Sequence, residues 1–239
     1  MPATTSSSSS AAPSSGSPAR QVRAKQILDL LARAYPEAKI ALEFRTPFEL
    51  LVATILSAQC TDERVNMVTP ALFRKYPTAR ELARARTPSL EKEIRSTGFF
   101  RAKARSLLGM SKALVERHGG EVPETLEALV ELPGVGLKTA NVIIGNAFGG
   151  QALAVDTHVF RVSQRLGLAR SDDPNEIHDQ LVALLPRDSL TQATHLLITH
   201  GRRTCVARKP ACPVCPLRTL CPWPHKTGAP AGRTPARRT

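Results

Sequence analysis

Apolar residues recur three and four positions apart through almost the whole of this chain, and alternation with period two is scarce. That spacing lines one face of an α-helix and does not build a half-buried strand, so it restricts the fold class to all-α. The punctuation agrees. Thr46-Pro47-Phe48-Glu49 has the Thr-x-x-Glu form of a capping box with proline at the first helical position, and Thr87-Pro88 repeats the Thr-Pro device. Gly98, Gly119-Gly120 and Gly149-Gly150 mark stops. Helices are expected near 21–35, 47–59, 62–75, 78–85, 88–96, 101–118, 124–131, 137–147, 157–166, 174–185 and 190–200, with no solenoid repeat.

Of the 239 residues, 42% are hydrophobic and 22% charged, enough carbon to bury a core and too much for wholesale disorder. No stretch approaches the roughly 18 apolar residues of a membrane helix, and the start lacks the apolar core of a secretory signal. The expected setting is the bacterial cytoplasm. The run 1–20, mostly Ser, Ala, Thr and Pro, is expected to be a disordered leader, and 222–239 a basic flexible tail. The leader carries Arg20 and the tail Lys226, Arg233, Arg237 and Arg238, so about +8 of the net +13 lies on the body between them. A surplus of that size suits a polyanionic partner, because cations that neutralise phosphates release condensed counterions. Plain solubilising charge is the alternative.

Four of the five cysteines, Cys205, Cys212, Cys215 and Cys221, fall in the pattern Cys-x6-Cys-x2-Cys-x5-Cys. Thiolates this close in an intracellular chain read as a metal site rather than as disulfides, and the spacing alone leaves zinc and an iron-sulfur cluster both open. Cys60 stands apart in an apolar segment, as a small core residue would.

Between the helices expected at 124–131 and 137–147 lies Leu132-Pro133-Gly134-Val135-Gly136, followed by Leu137-Lys138. Gly134 and Gly136 allow a tight turn that bares backbone N–H groups just before a helix N-terminus, an arrangement suited to a phosphate. Lys138 sits where the helix dipole disfavours a cation. A dipole of that sign, neighbouring cations and partial burial would help free a lysine amine as a nucleophile; an ordinary solvated Lys is the alternative. Asp156, ahead of Thr157-His158-Val159-Phe160-Arg161, is well suited to cap a helix, and a catalytic carboxylate is the competing reading. His158 is either a satisfied structural histidine or a site residue.

Taken together, Leu132 to Gly136 with Lys138-Thr139-Ala140-Asn141, Val155-Asp156-Thr157-His158-Val159-Phe160-Arg161-Val162, the cysteine spacing after His200-Gly201-Arg202, and Ser57-Ala58-Gln59-x-Thr61-Asp62 resemble the endonuclease III family. The resemblance runs from about Gln21 to Cys221. It implies a bifunctional DNA glycosylase and abasic-site lyase of the helix-hairpin-helix superfamily. The implied fold has two helical lobes with a DNA cleft between them: a six-helix domain over 40–150, and an iron-sulfur cluster domain joining 21–39 to 151–221. The same likeness implies a 4Fe-4S cluster on the four cysteines and, as partner, double-stranded DNA containing damaged bases or abasic sites, bound by a monomer with no membrane.

By that resemblance Lys138 is the nucleophile at sugar C1′ and Asp156 its carboxylate partner. Gln59 fills the gap left by a flipped base, and Phe99 of Gly98-Phe99-Phe100 is the wedge. Gly134, Gly136, His158, Arg208 and Lys209 complete the DNA-binding set. Core filling is the alternative for Phe99, and solvated charge for Arg208 and Lys209. Departures from the commonest family pattern are Cys60 for Ala or Thr, Leu137 for a basic residue, and Phe-Phe in the wedge. Competing activities are a thymine-mismatch or adenine-mismatch glycosylase, a non-catalytic iron-sulfur DNA-binding protein, and a zinc-stabilised binding module. Lys138 and the short stretch after Cys221 argue against the adenine-mismatch branch.

Overall fold

The computed structural model describes residues 17–228. Every regular element among them is helical: α1 (Pro18–Ala34), α2 (Pro47–Leu56), α3 (Asp62–Lys75), α4 (Ala79–Ala83), α5 (Thr87–Ile94), α6 (Phe100–Arg117), α7 (Leu126–Val130), α8 (Leu137–Ala147), α9 (Thr157–Arg165), α10 (Pro174–Leu184) and α11 (Leu190–Arg203). Short 3-10 turns occupy Arg95–Thr97, Arg187–Ser189 and Cys212–Val214. The all-α class is the one expected, and no helix is long and apolar enough to cross a membrane.

The buried apolar residues form two clusters. The first is built from α2 to α8 around α2, whose residues Leu50 to Leu56 are all buried. A helix apolar on every side has to be surrounded, and α2 packs on α3, α6 and α8. The Thr46 hydroxyl caps its start by accepting from the Glu49 N–H at 3.2 Å. The Glu49 carboxylate accepts from the Arg45 N–H at 2.6 Å, one residue upstream of the partner a regular capping box would use. α7 and α8 close a hairpin whose Leu129, Leu132, Val135, Ala140 and Ile143 join this core.

The second cluster packs Ala24, Ile27, Leu28 and Leu31 of α1 against Val159 and Val162 of α9, Ile177 and Leu181 of α10, and Ala193, Leu196 and Leu197 of α11. Burying each such Leu or Ile stabilises by about 1.5–3 kcal/mol. The chain therefore leaves this cluster after Ala38, builds the first one, and returns at Leu153.

Both ends of the fold extend past the expected limits. α1 begins at Pro18, inside the expected leader, because Arg20 donates to the Leu168 carbonyl (3.1 Å) and Arg23 to those of Leu166 (2.5 Å) and Leu220 (2.8 Å). Residues 222–228, assigned to the flexible tail, are also packed: the Arg165 guanidinium lies 4.2 Å from the Trp223 ring centroid, and Arg218 donates to the carbonyls of Thr227 and Gly228. The remainder of the expected leader and tail, 1–16 and 229–239, lies outside the described residues.

Candidate functional site

Gly136 caps α8 and Asp156 caps α9, so two helix N-termini deliver Lys138 and Asp156 to one cavity. The cavity has a volume of about 110 Å³ and is also lined by Lys39, Asp62, Asn141, His195 and Arg202. Lys138 and Asp156 line a second hollow together with Gln59, Cys60, Asp62, His158 and Arg202. Lys138 is exposed and makes no hydrogen bond or ion pair among the described residues. Asp156 accepts from the N–H groups of His158 (2.8 Å) and Val159 (2.7 Å) through Oδ1 alone. The capping role is thus real, and it leaves Oδ2 for another.

Arg161 Nη2 lies 3.2 Å from His158 Nδ1, a contact in which the guanidinium can only donate. Burial pulls the imidazole pKa below its ordinary value; Asp156 opposes this, and Arg161 and Arg202 add to it. Gly201 lies against the ring, where a Cβ would come 2.9 Å from that of His158. Arg202 Nη2 donates to Asp62 Oδ2 at 2.6 Å, an ion pair joining α11 to α3 at the rim of both hollows. Sequence reasoning placed Asp62 and Arg202 inside quoted runs without showing that they meet, and it did not single out Asn141 or His195 as cavity-lining residues.

Backbone conformation marks the other candidates. The non-glycine residues with positive φ among those described are Gln59 (51°), Phe99 (48°) and Lys209 (51°). A side chain in this left-handed region costs about 1–2 kcal/mol, and such positions concentrate where function imposes them. Gln59 is exposed in the turn that follows α2, which ends at Leu56 rather than near 59. Phe99 caps α6 and is 65% exposed, so it does not fill the core. Beneath both turns lies Lys103 of α6, only 5% exposed, whose Nζ donates to the Leu56 and Thr97 carbonyls at 2.7 Å each. Burial lowers its pKa and the nearby Cys60 thiol opposes that shift.

In the α7–α8 hairpin the two glycines differ. Gly134 has φ of 79°, and a Cβ there would sit 2.6 Å from that of Ser106 on α6. Gly136 has extended φ and nothing within 4 Å of an added Cβ, so its bare backbone faces open space. Neither of their N–H groups meets a partner among the described residues.

Cys205, Cys212, Cys215 and Cys221 line one hollow with His200, Arg165 and Trp223. Arg165 donates to Cys205 Sγ (3.4 Å) and to the carbonyls of Val206 (2.9 Å) and Ala207 (3.0 Å), and Arg161 donates to the Cys205 carbonyl. Tyr35 Oη lies 3.0 Å from His200 Nδ1 and 2.7 Å from Thr204 Oγ1, which ties α1 to this end of α11. Burial raises the Cys215 thiol pKa, and Cys205, Cys221 and Cys212 raise it further. Four thiols crowded together ionise only with a compensating cation, so the donor set fits a metal centre. Among the described residues no three His, Cys, Asp or Glu side chains converge on a single ion-sized point. Cys60 packs instead on the first cluster, and Arg208 and Lys209 are exposed on the cysteine loop.

Residues 52–187 match the model of the HhH-GPD superfamily base excision DNA repair proteins. The chain is similar to endonuclease III of Synechocystis sp., 51% identical over 204 residues that span 85% of this chain and 93% of that protein. It is 39% identical to endonuclease III of Escherichia coli over 201 residues, 84% of this chain and 95% of that one. Its fold matches an endonuclease III in a non-covalent complex with DNA, with a TM-score of 0.81 and 45% identity over 84% of this chain and 95% of that chain. A trapped covalent endonuclease III–DNA intermediate matches equally well.

Proposed function

The chain belongs to the HhH-GPD superfamily of base excision DNA repair proteins, and from that premise we propose that it excises oxidised pyrimidines from duplex DNA through Lys138 and then cleaves the strand. The observation that carries this reading is the delivery of Lys138 and Asp156, from two different helix N-termini, to one cavity. A base in a duplex is out of reach of such a pair until it is flipped out. Gln59 and Phe99, exposed on strained turns, suit the tasks of filling the gap and prying the stack. The bare N–H groups at Gly134 and Gly136 and the start of α8 suit the phosphates beside the flipped nucleotide.

In the excision step the Lys138 amine forms a bond to C1′ as the bond from C1′ to the base breaks. The base leaves with the electron pair and picks up a proton; the attached amine loses one proton, and its lone pair then forms the C1′=N bond as the C1′–O4′ bond breaks and O4′ takes up a proton, opening the sugar to an iminium. Asp156 Oδ2 faces the positive charge that develops at C1′ and can relay the protons. Loss of a C2′ proton then expels the 3′ phosphate, which cuts the strand. That an endonuclease III has been trapped in covalent linkage to DNA supports the nucleophilic route.

Cys205, Cys212, Cys215 and Cys221 would hold a 4Fe-4S cluster, whose contribution when bound is to fix the cysteine loop. Four thiols lining one hollow supply the donor set that such a cluster takes. Arg208 and Lys209, exposed on that loop, would meet backbone phosphates. In this reading 40–150 and 21–39 with 151–221 are the two lobes, and a monomer acts on DNA in the bacterial cytoplasm.

Borohydride trapping on a duplex with one thymine glycol tests the proposal, with Lys138→Gln as control. The expected result is a covalent adduct with the unaltered protein and none with the variant. Binding without an adduct from the unaltered protein overturns the lyase route and moves the assay to thymine in a T·G mismatch.

A further inference from the structure

We propose that Lys103 is a positioning residue that holds the Gln59 turn and the Phe99 turn in register, so that both side chains enter the duplex as one unit. This rests on the reading of those two side chains as gap filler and wedge. The geometry is specific. The last carbonyl of α2, on Leu56, and that of Thr97, closing the 3-10 turn after α5, both lose their helical partners, and one ammonium satisfies both at 2.7 Å. Gln59 lies three residues after Leu56, past Ser57 and Ala58 in the same turn, and Phe99 follows Thr97 after Gly98. On the far side of Phe99 the Lys103 backbone N–H takes the Phe99 carbonyl at 3.0 Å. Lys103 thus grips the Phe99 turn through both its backbone and its side chain.

Among the described residues no carboxylate pairs with Lys103. A buried ammonium without a counter-charge is costly, and the negative ends of two helical segments are what compensates it here. An apolar side chain would pack the same space without fixing one turn relative to the other. Two left-handed turns hung from one cation move together, which is what a two-pronged entry into DNA needs.

The test uses the full chain and Lys103→Met, with two substrates. Excision of thymine glycol from a duplex requires prying and gap filling. Borohydride trapping on a single strand with a preformed abasic site requires neither. The expected result is a loss of about 10- to 100-fold on the duplex, as a misplacement of order 1 Å would give, with single-strand trapping little changed. Gln59→Ala and Phe99→Ala should also cost less in the Lys103→Met background than alone, because residues acting through a shared contact are not additive. Equal losses on both substrates, or an unchanged duplex rate, would overturn the proposal. Lys103→Gln, whose amide sits one bond short of the position of the ammonium and does not span both carbonyls, carries the same comparison should the Met variant not fold. If the unaltered protein traps on neither substrate, the underlying reading of the site fails, and the role of Lys103 with it.

Discussion

Asp156 serves two ends with one carboxylate. Oδ1 takes both backbone donors of the α9 cap, which leaves the second oxygen for chemistry. Asparagine caps a helix about as well as aspartate, within a few tenths of a kcal/mol, but brings no negative charge to C1′. Asp156→Asn should therefore melt within a degree or two of the unaltered protein while excision falls by about 100-fold or more. Parallel melting and single-turnover assays check this, and a variant that is both as stable and as active as the unaltered protein would reduce the residue to a cap. Gly134→Ala meets both a left-handed φ and Ser106 at 2.6 Å, so it should destabilise by about 1–3 kcal/mol, and Ser106→Gly should recover part of that loss in denaturant titrations. His195 hydrogen-bonds Asn146 Oδ1 at 2.9 Å, and burial holds its pKa below 6.5. It stays neutral when folded and charges more readily when unfolded, so its share of stability is present above pH 6.5 and lost as the pH falls through the lowered folded value. Stability measured from pH 7.5 down to 5 should fall, with a shallower slope in His195→Gln.

Among the elements, those whose limits are set locally were legible. α3 and α8 run over the expected 62–75 and 137–147, because Thr61 caps one and Gly136 starts the other. The end of α2 was not legible. Leu56-Ser57-Ala58 is helix-compatible in sequence, and the stop is made by Lys103, 47 residues away, taking the Leu56 carbonyl. The start of α1 was hidden likewise: Ser17-Pro18 reads as one more step of a low-complexity leader until Arg20 and Arg23 find carbonyls on the far side of the second cluster. The site follows the same division. Lys138, Asp156 and the cysteines stood out through motif and spacing, while the Asp62–Arg202 pair and Lys103 exist only as tertiary contacts. Since α2 is enclosed on all sides, Leu51→Ala should cost about 2–5 kcal/mol, against near-neutrality for the exposed Met67→Ala on α3. Urea midpoints would separate the two.

At the scale of the whole molecule, most of the positive surplus lies between the two ends of the chain, and duplex binding should lose affinity steeply with salt. A log–log plot of affinity against salt should be linear, and Lys209→Ala should flatten it by about one phosphate contact without moving excision from the bound complex. The order in which the chain visits its two cores bears on how a ribosome can make it. α1 emerges first, yet its partners on α9, α10 and α11 begin only after Leu153. At about 5–20 residues per second, the exposed apolar stripe of Ile27, Leu28 and Leu31 waits some 6–24 seconds for a place to dock. The cluster around α2 is complete only once Ile143 has been made, ten residues before Leu153, so through most of that interval the nascent protein is a growing lobe preceded by a sticky, unpartnered helix. That is the species a chaperone would meet, and the one whose lifetime synonymous codon changes between α2 and α9 would lengthen or shorten.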